Sequence, residues 1–148
     1  MVDRSGNLVL LDFGCLKEFE PAFADGIFNI LRAVWAGEAE MLPGLLRGAG
    51  FSIEDDQIDV EVLYEWLELM LAPFMRDAPF DFTDWDFEIR GKRFLFDHPE
   101  LLRVLPPNPA IFYLRVCAGV RGILTQAHAR INVYALCKSV EGRLGGRV

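Results

Sequence analysis

From residue 21 onward, apolar side chains return every third or fourth position in one stretch after another, and this spacing limits the fold more than anything else in the chain. A period of that kind buries a single face only if the backbone is helical. Pro21 can open the first stretch. Phe23, Ile27, Ile30, Leu31 and Val34 then share a face, Asp25, Asn29 and Arg32 fall off it, and Gly37 is placed to end it. A second, shorter helix is expected over residues 39–49. Met41, Leu45 and Leu46 face inward there, Pro43 is confined to the first turn, and Gly48 and Gly50 close it. Ser52-Ile53-Glu54-Asp55 reads as a capping box with Ser52 as the cap. A third helix follows over about 55–74, with Leu63, Trp66, Leu67, Met70 and Phe74 as its apolar stripe and Asp59, Glu61, Glu65 and Glu68 as a solvated acidic face.

Beyond the third helix the pattern loosens. Residues 76–100 read as loop, bracketed by Pro79 and Pro99, with the aromatics of Phe80-Asp81-Phe82-Thr83-Asp84-Trp85-Asp86-Phe87 packing on the body and the acids outward. One short helical turn is expected within residues 95–104. Pro106-Pro107-Asn108-Pro109 breaks the chain and starts a last helix over about 110–144. Up to Leu124 that helix is apolar on nearly every side, interrupted by Arg115 and Arg121, and is expected to be buried all round in a larger body. Its arginines should pair with carboxylates or reach a surface.

The front of the chain is different. Asp3-Arg4-Ser5-Gly6-Asn7 is a dense turn signal, and Leu8-Val9-Leu10-Leu11 is a short apolar run bounded by turn residues, hence a buried strand. A strand after a tight turn is the second arm of a hairpin, whose first arm here would be Met1 and Val2 only. A strand with so little ladder is marginal, so the chain is expected to begin inside a domain. The expected fold is therefore mainly α. Residues 1–20 form a hairpin-strand segment, and residues 21–148 form a helical bundle.

The chain of 148 residues suits one domain, and 52% hydrophobic content is too high for a disordered polypeptide. A net charge of −7 argues against a nucleic-acid partner, which needs a basic footprint. That average hides an asymmetry. Residues 1–100 carry 8 basic and 21 acidic side chains, and residues 101–148 carry 7 basic and 1 acidic. The basic end either packs on the acidic body or lies near an anionic membrane surface. Cys15, Cys117 and Cys137 are odd in number and far apart, so neither a disulfide framework nor a zinc site is suggested, and a reducing, cytoplasmic compartment fits best. Met1-Val2-Asp3-Arg4 is polar and short, so no secretory leader is expected, and no run of about 18 uncharged apolar residues occurs in the sequence.

Chemistry concentrates at Asp12-Phe13-Gly14, directly after the leucine strand. In protein kinases such a triplet ends a strand so that the Asp side chain leaves the sheet and reaches magnesium. A hard anionic oxygen suits Mg²⁺, which bridges phosphate oxygens and neutralises charge as the γ-phosphoryl group departs. The glycine allows close backbone approach.

The stretch from Asp3 to Cys15, a Gly-containing turn, then leucines, then Asp12-Phe13-Gly14, resembles the magnesium-loop segment of the UbiB/AarF/ADCK family of atypical protein-kinase-like proteins linked to ubiquinone biosynthesis. Pro106 to Leu144 with Arg115, and Arg130-Ile131-Asn132-Val133-Tyr134, is similar to that family's proline-led helical tail. The resemblance is strong over residues 3–15 and loose beyond about residue 50. It implies a protein-kinase-like C-lobe, a parent that binds Mg²⁺ and ATP, and kinase or ATPase chemistry linked to quinone or lipid biosynthesis. It assigns Asp12 as metal ligand, with Phe13 and Gly14 as its setting. The chain has no Gly-rich nucleotide loop and no strand Lys paired with a helix Glu. Its expected partner is thus the remainder of the kinase-like domain, with membrane lipid or quinone-pathway proteins beyond it, and the chain alone is expected to be inactive. The alternative is a non-catalytic, pseudokinase-like helical scaffold that binds lipid or a protein. His98 and His128 are read as structural or solvated, and Cys15 as a small packing residue.

Overall fold

A computed structural model describes residues 4–7, 17–53 and 58–144. The strand expected over residues 8–11, and with it the hairpin, lies outside the described residues. Residues 4–6 do turn, with Gly6 in the left-handed region at φ 84°. The described residues are mainly helical: six α-helices and one two-stranded antiparallel sheet.

Helix α1 (Pro21–Ala36) begins on its proline, whose missing N–H would be unpaired there anyway. It ends at Gly37, φ 71°, where Gly37 N–H donates to Val34 C=O at 3.2 Å and Glu38 N–H to Ala33 C=O at 2.9 Å. Ile30, Leu31, Ala33 and Val34 are buried, while Asp25, Asn29 and Arg32 are exposed, as the spacing predicts. A 3-10 turn (Ala39–Met41) leads into α2 (Leu42–Gly48). The tighter turn rotates the residues around it relative to a continuous α-helix. Leu42 and Leu46 therefore face the core, and Met41, expected inward, faces water. Helix α2 lies close against α1, since a Cβ on Gly26 would stand 2.9 Å from the Cβ of Ala49.

The capping box expected at Ser52 falls partly on residues 54–57, outside the described residues. The backbone of Ser52 pairs with Leu105 in an antiparallel bridge, with both N–H···O=C distances 2.9 Å. Helix α3 (Val60–Met70) is capped by Asp59, whose Oδ1 accepts from the Glu61 N–H at 2.8 Å. It stops short of Phe74 because Pro73 cannot donate and would crowd the carbonyl four residues back. Residues Ala72–Phe74 form a 3-10 turn instead. Leu63 and Leu67 are buried with Ile30, Val34, Leu42, Leu46, Ile53 and Leu101 in one core, and the Tyr64 hydroxyl donates to Val34 C=O at 3.2 Å.

The segment read as loop holds two elements. Strand β1 (Phe80–Asp81) is followed by helix α4 (Phe87–Asp97), which stacks Phe87 and Phe94 on Trp66 of α3. The short turn expected near residue 100 is the 3-10 stretch Pro99–Arg103. The single long helix expected over 110–144 is two, α5 (Asn108–Gln126) and α6 (Val133–Leu144). Between them His128 takes φ 49° and strand β2 (Arg130–Ile131) pairs with β1, Phe80 opposite Ile131 and Asp81 opposite Arg130. Asn132 then caps α6, its Oδ1 accepting from Ala135 N–H at 2.9 Å. Within this chain α5 is not buried all round. Only Ala110 is buried, and Ile123 is 67% and Val116 51% exposed. Among the described residues no helix is long and apolar enough to cross a membrane.

Candidate functional site

Asp12, Phe13 and Gly14, together with Cys15, lie outside the described residues. The chain is described again from Lys17, and Phe19 is its first anchored side chain. Its ring stacks on Phe23 of α1 at 5.4 Å between centroids and meets Tyr113 of α5 edge-on at 6.4 Å, and Phe23 meets the same tyrosine at 6.4 Å. Three rings thus tie the downstream flank of the motif to the start of α1 and the first turns of α5. Burial raises the pKa of Tyr113 well above the ordinary phenol value, and the neighbouring thiols of Cys117 and Cys137 add to the rise. Burial also pushes both of these thiols up, Cys137 with help from Glu141, while the Tyr113 hydroxyl partly opposes the rise at Cys117. A raised thiol pKa keeps the protonated form, so neither thiol is primed as a nucleophile.

A second cluster forms where β1, α4 and α5 meet. The rings of Phe80, Phe82 and Trp85 lie 5.3 to 6.2 Å apart, and Phe87 is 5.4 Å from Trp85. Arg121 of α5 sets its guanidinium 5.6 Å from the Trp85 ring and 5.9 Å from Phe87, and pairs with Glu88. Phe82 is buried while Asp84 and Asp86 are exposed, matching the expected division of aromatics inward and acids outward. Among the described residues the buried indole N–H of Trp85 has no hydrogen-bond partner. Asp81 Oδ1 accepts from the Thr83 backbone N–H at 2.9 Å, and Arg130 stands 3.5 Å away. That backbone donor is the main reason the Asp81 carboxyl titrates below its ordinary value, with the Thr83 hydroxyl, Arg130 and His128 adding to it against partial desolvation. At neutral pH Asp81 is a fixed negative charge and not a proton carrier.

Between α3, α4 and β1 runs an open groove of about 980 Å³, walled by residues of both signs such as Glu65, Glu68, Arg76 and Arg90 around Leu69 and Phe94. His98 Nδ1 sits 3.3 Å from Glu100, and His128 Nδ1 lies 3.4 Å from the Thr83 hydroxyl. Among the described residues, no three His, Cys, Asp or Glu side chains converge where a metal ion could sit.

The pairing of the basic end with the acidic body, expected from the charge asymmetry, is seen in Arg121–Glu88 and Arg130–Asp81. The spacing does not reveal a junction between α1 and α6. There Trp35 and Tyr134 rings lie 5.2 Å apart and Lys138 Nζ stands 4.0 Å from the Trp35 centroid. Its only trace in the sequence is Tyr134 and Lys138 four apart on one helix face. No family model, no curated protein and no solved structure matches this chain.

Proposed function

We propose that this chain supplies the metal-holding aspartate and the helical lobe of an atypical kinase-like protein of the kind the UbiB/AarF/ADCK resemblance implies. The observation that carries the reading is the stretch Asp3 to Cys15, in which a turn and four apolar residues deliver Asp12-Phe13-Gly14. The mainly helical body that follows from Pro21 is compatible with a kinase-like C-lobe. In this reading the Asp12 carboxylate holds Mg²⁺ on the phosphates of ATP, which supplies charge neutralisation for phosphoryl transfer or hydrolysis. The nucleotide loop and general base come from the rest of the kinase-like domain, and the activity serves quinone or lipid biosynthesis in the cytoplasm or at a membrane face.

The test is nucleotide binding in a polypeptide extended by its own upstream coding sequence. Magnesium-dependent ATP binding is expected there and is expected to be lost in Asp12→Asn. Full retention in that variant overturns the role of Asp12. The present chain alone should show no saturable thermal stabilisation by Mg-ATP.

The exposed apolar residues of α5, Ile111, Val116, Val120 and Ile123, favour a second reading, a non-catalytic scaffold that binds lipid or a protein. Upstream sequence without a base Asp and a metal-binding Asn decides for it.

A further inference from the structure

We propose that α6 is a charge-held strap that swings off the body as a unit while the core of α1, α2 and α3 stays folded. None of its residues from Val133 to Glu141 is fully buried, and Leu136 and Val140 point into water. The apolar burial that holds most helices in place is therefore small here. Among the described side chains, polar contacts, one ring pair and the half-buried Val133 and Cys137 do the holding. Lys138 Nζ lies 4.0 Å from the centroid of Trp35 and 5.8 Å from that of Tyr134. Glu141 accepts from Arg32 of α1 and from Lys138, the latter at 3.1 Å. Just ahead of the helix, Asn132 Nδ2 donates to Asp77 Oδ1 at 2.7 Å.

The two sides of this junction differ in rigidity. The Trp35 indole N–H donates to Phe74 C=O at 2.9 Å, so the tryptophan is a fixed plate on the body. On the moving side, β2 is tied to β1 by backbone pairing, which places the pivot at Asn132. Lys138 is 43% and Arg32 49% exposed, so both are open to screening. The Debye length falls from about 10 Å at 0.1 M salt to about 3 Å at 1 M. Salt should weaken the clasp and leave the apolar core alone. Opening uncovers the facing rings of Trp35 and Tyr134.

Hydrogen exchange of the whole chain, followed by mass spectrometry at 0.1 M and 1 M sodium chloride, tests this. Amides of residues 133–141 are expected to exchange about two- to fivefold faster at high salt, and by a similar factor in Lys138→Met at low salt, with amides of residues 60–70 unchanged. Lys138→Arg should stay close to the parent, and Lys138→Met should respond less to salt. The proposal is overturned if both sets of amides accelerate together, or if Lys138→Met leaves the protection of α6 and its salt response as they were.

Discussion

In α1, α2 and α3, Val34, Leu42 and Leu63 are sealed from water, whereas in α5 Val116, Val120 and Ile123 stand half exposed or more. Both regions are helical and rich in apolar side chains, so helical apolar content does not by itself decide burial. Neighbours decide it. The first three helices confine their apolar residues to stripes that face one another. Helix α5 spreads its apolar residues round the axis, and among the described residues Tyr113, Arg121 and Thr125 tie it to the body. Beyond it, α6 holds on by charge and ring contact.

Substitutions can break this contrast or sharpen it. The largest effect belongs to the core: Leu63→Ala should cost about 2–5 kcal/mol in chemical denaturation, through lost transfer energy and the cavity left behind. A loss well under that range would mean the first three helices are no better packed than the last two. Removal of the α3 cap in Asp59→Ala should cost about 1 kcal/mol, read in the same way. Acid should act next, and mainly on the C-terminal contacts. The Arg32 hydrogen bond, then that of Lys138, holds the Glu141 carboxyl below its ordinary value, and Asp81 is likewise lowered. A depressed folded-state pKa gives stability that is full above the unfolded value and is lost as pH falls through the folded one. Exchange rates corrected for their intrinsic pH dependence should therefore show α6 and the β1–β2 pair loosening below about pH 4.5 ahead of the core, whose described residues include no buried charge. Simultaneous loss would remove the distinction. The smallest effect is expected from Ile123→Ser, within about 0.5 kcal/mol of the parent in this chain. A larger loss would show that α5 is covered in solution, by another copy or by some other surface.

The parts of the fold that could be read from the residues are those with local punctuation. Pro21 and Gly37 bound α1 within a residue, and the Leu63–Leu67 stripe is buried as spaced. Where a choice among similar signals had to be made, tertiary contacts made it. Asp59, read as part of the acidic face, caps α3, and the backbone of Ser52 is taken by Leu105. Helix α4 is hidden because alternating acids and aromatics mask Phe87 and Phe94, which are seven apart and meet Trp66 of another helix. The break at 127–132 depends on β2 finding β1 almost fifty residues earlier, which no local pattern encodes. The candidate metal site rests on the sequence of residues 3–15, and the structure adds the anchoring of its downstream flank through Phe19.

The bridge between Ser52 and Leu105 bears on the order in which the molecule assembles. It joins positions fifty-three apart, with α3, β1 and α4 strung between its ends. Drawing such ends together costs entropy that grows as the logarithm of the separation, so it is slow unless the intervening chain is already shortened by structure. The hairpin of α1 and α2 needs only neighbours in sequence and can serve as the nucleus. Closure at Ser52 is expected to come after that hairpin, and it brings the chain leading into α5 against the body.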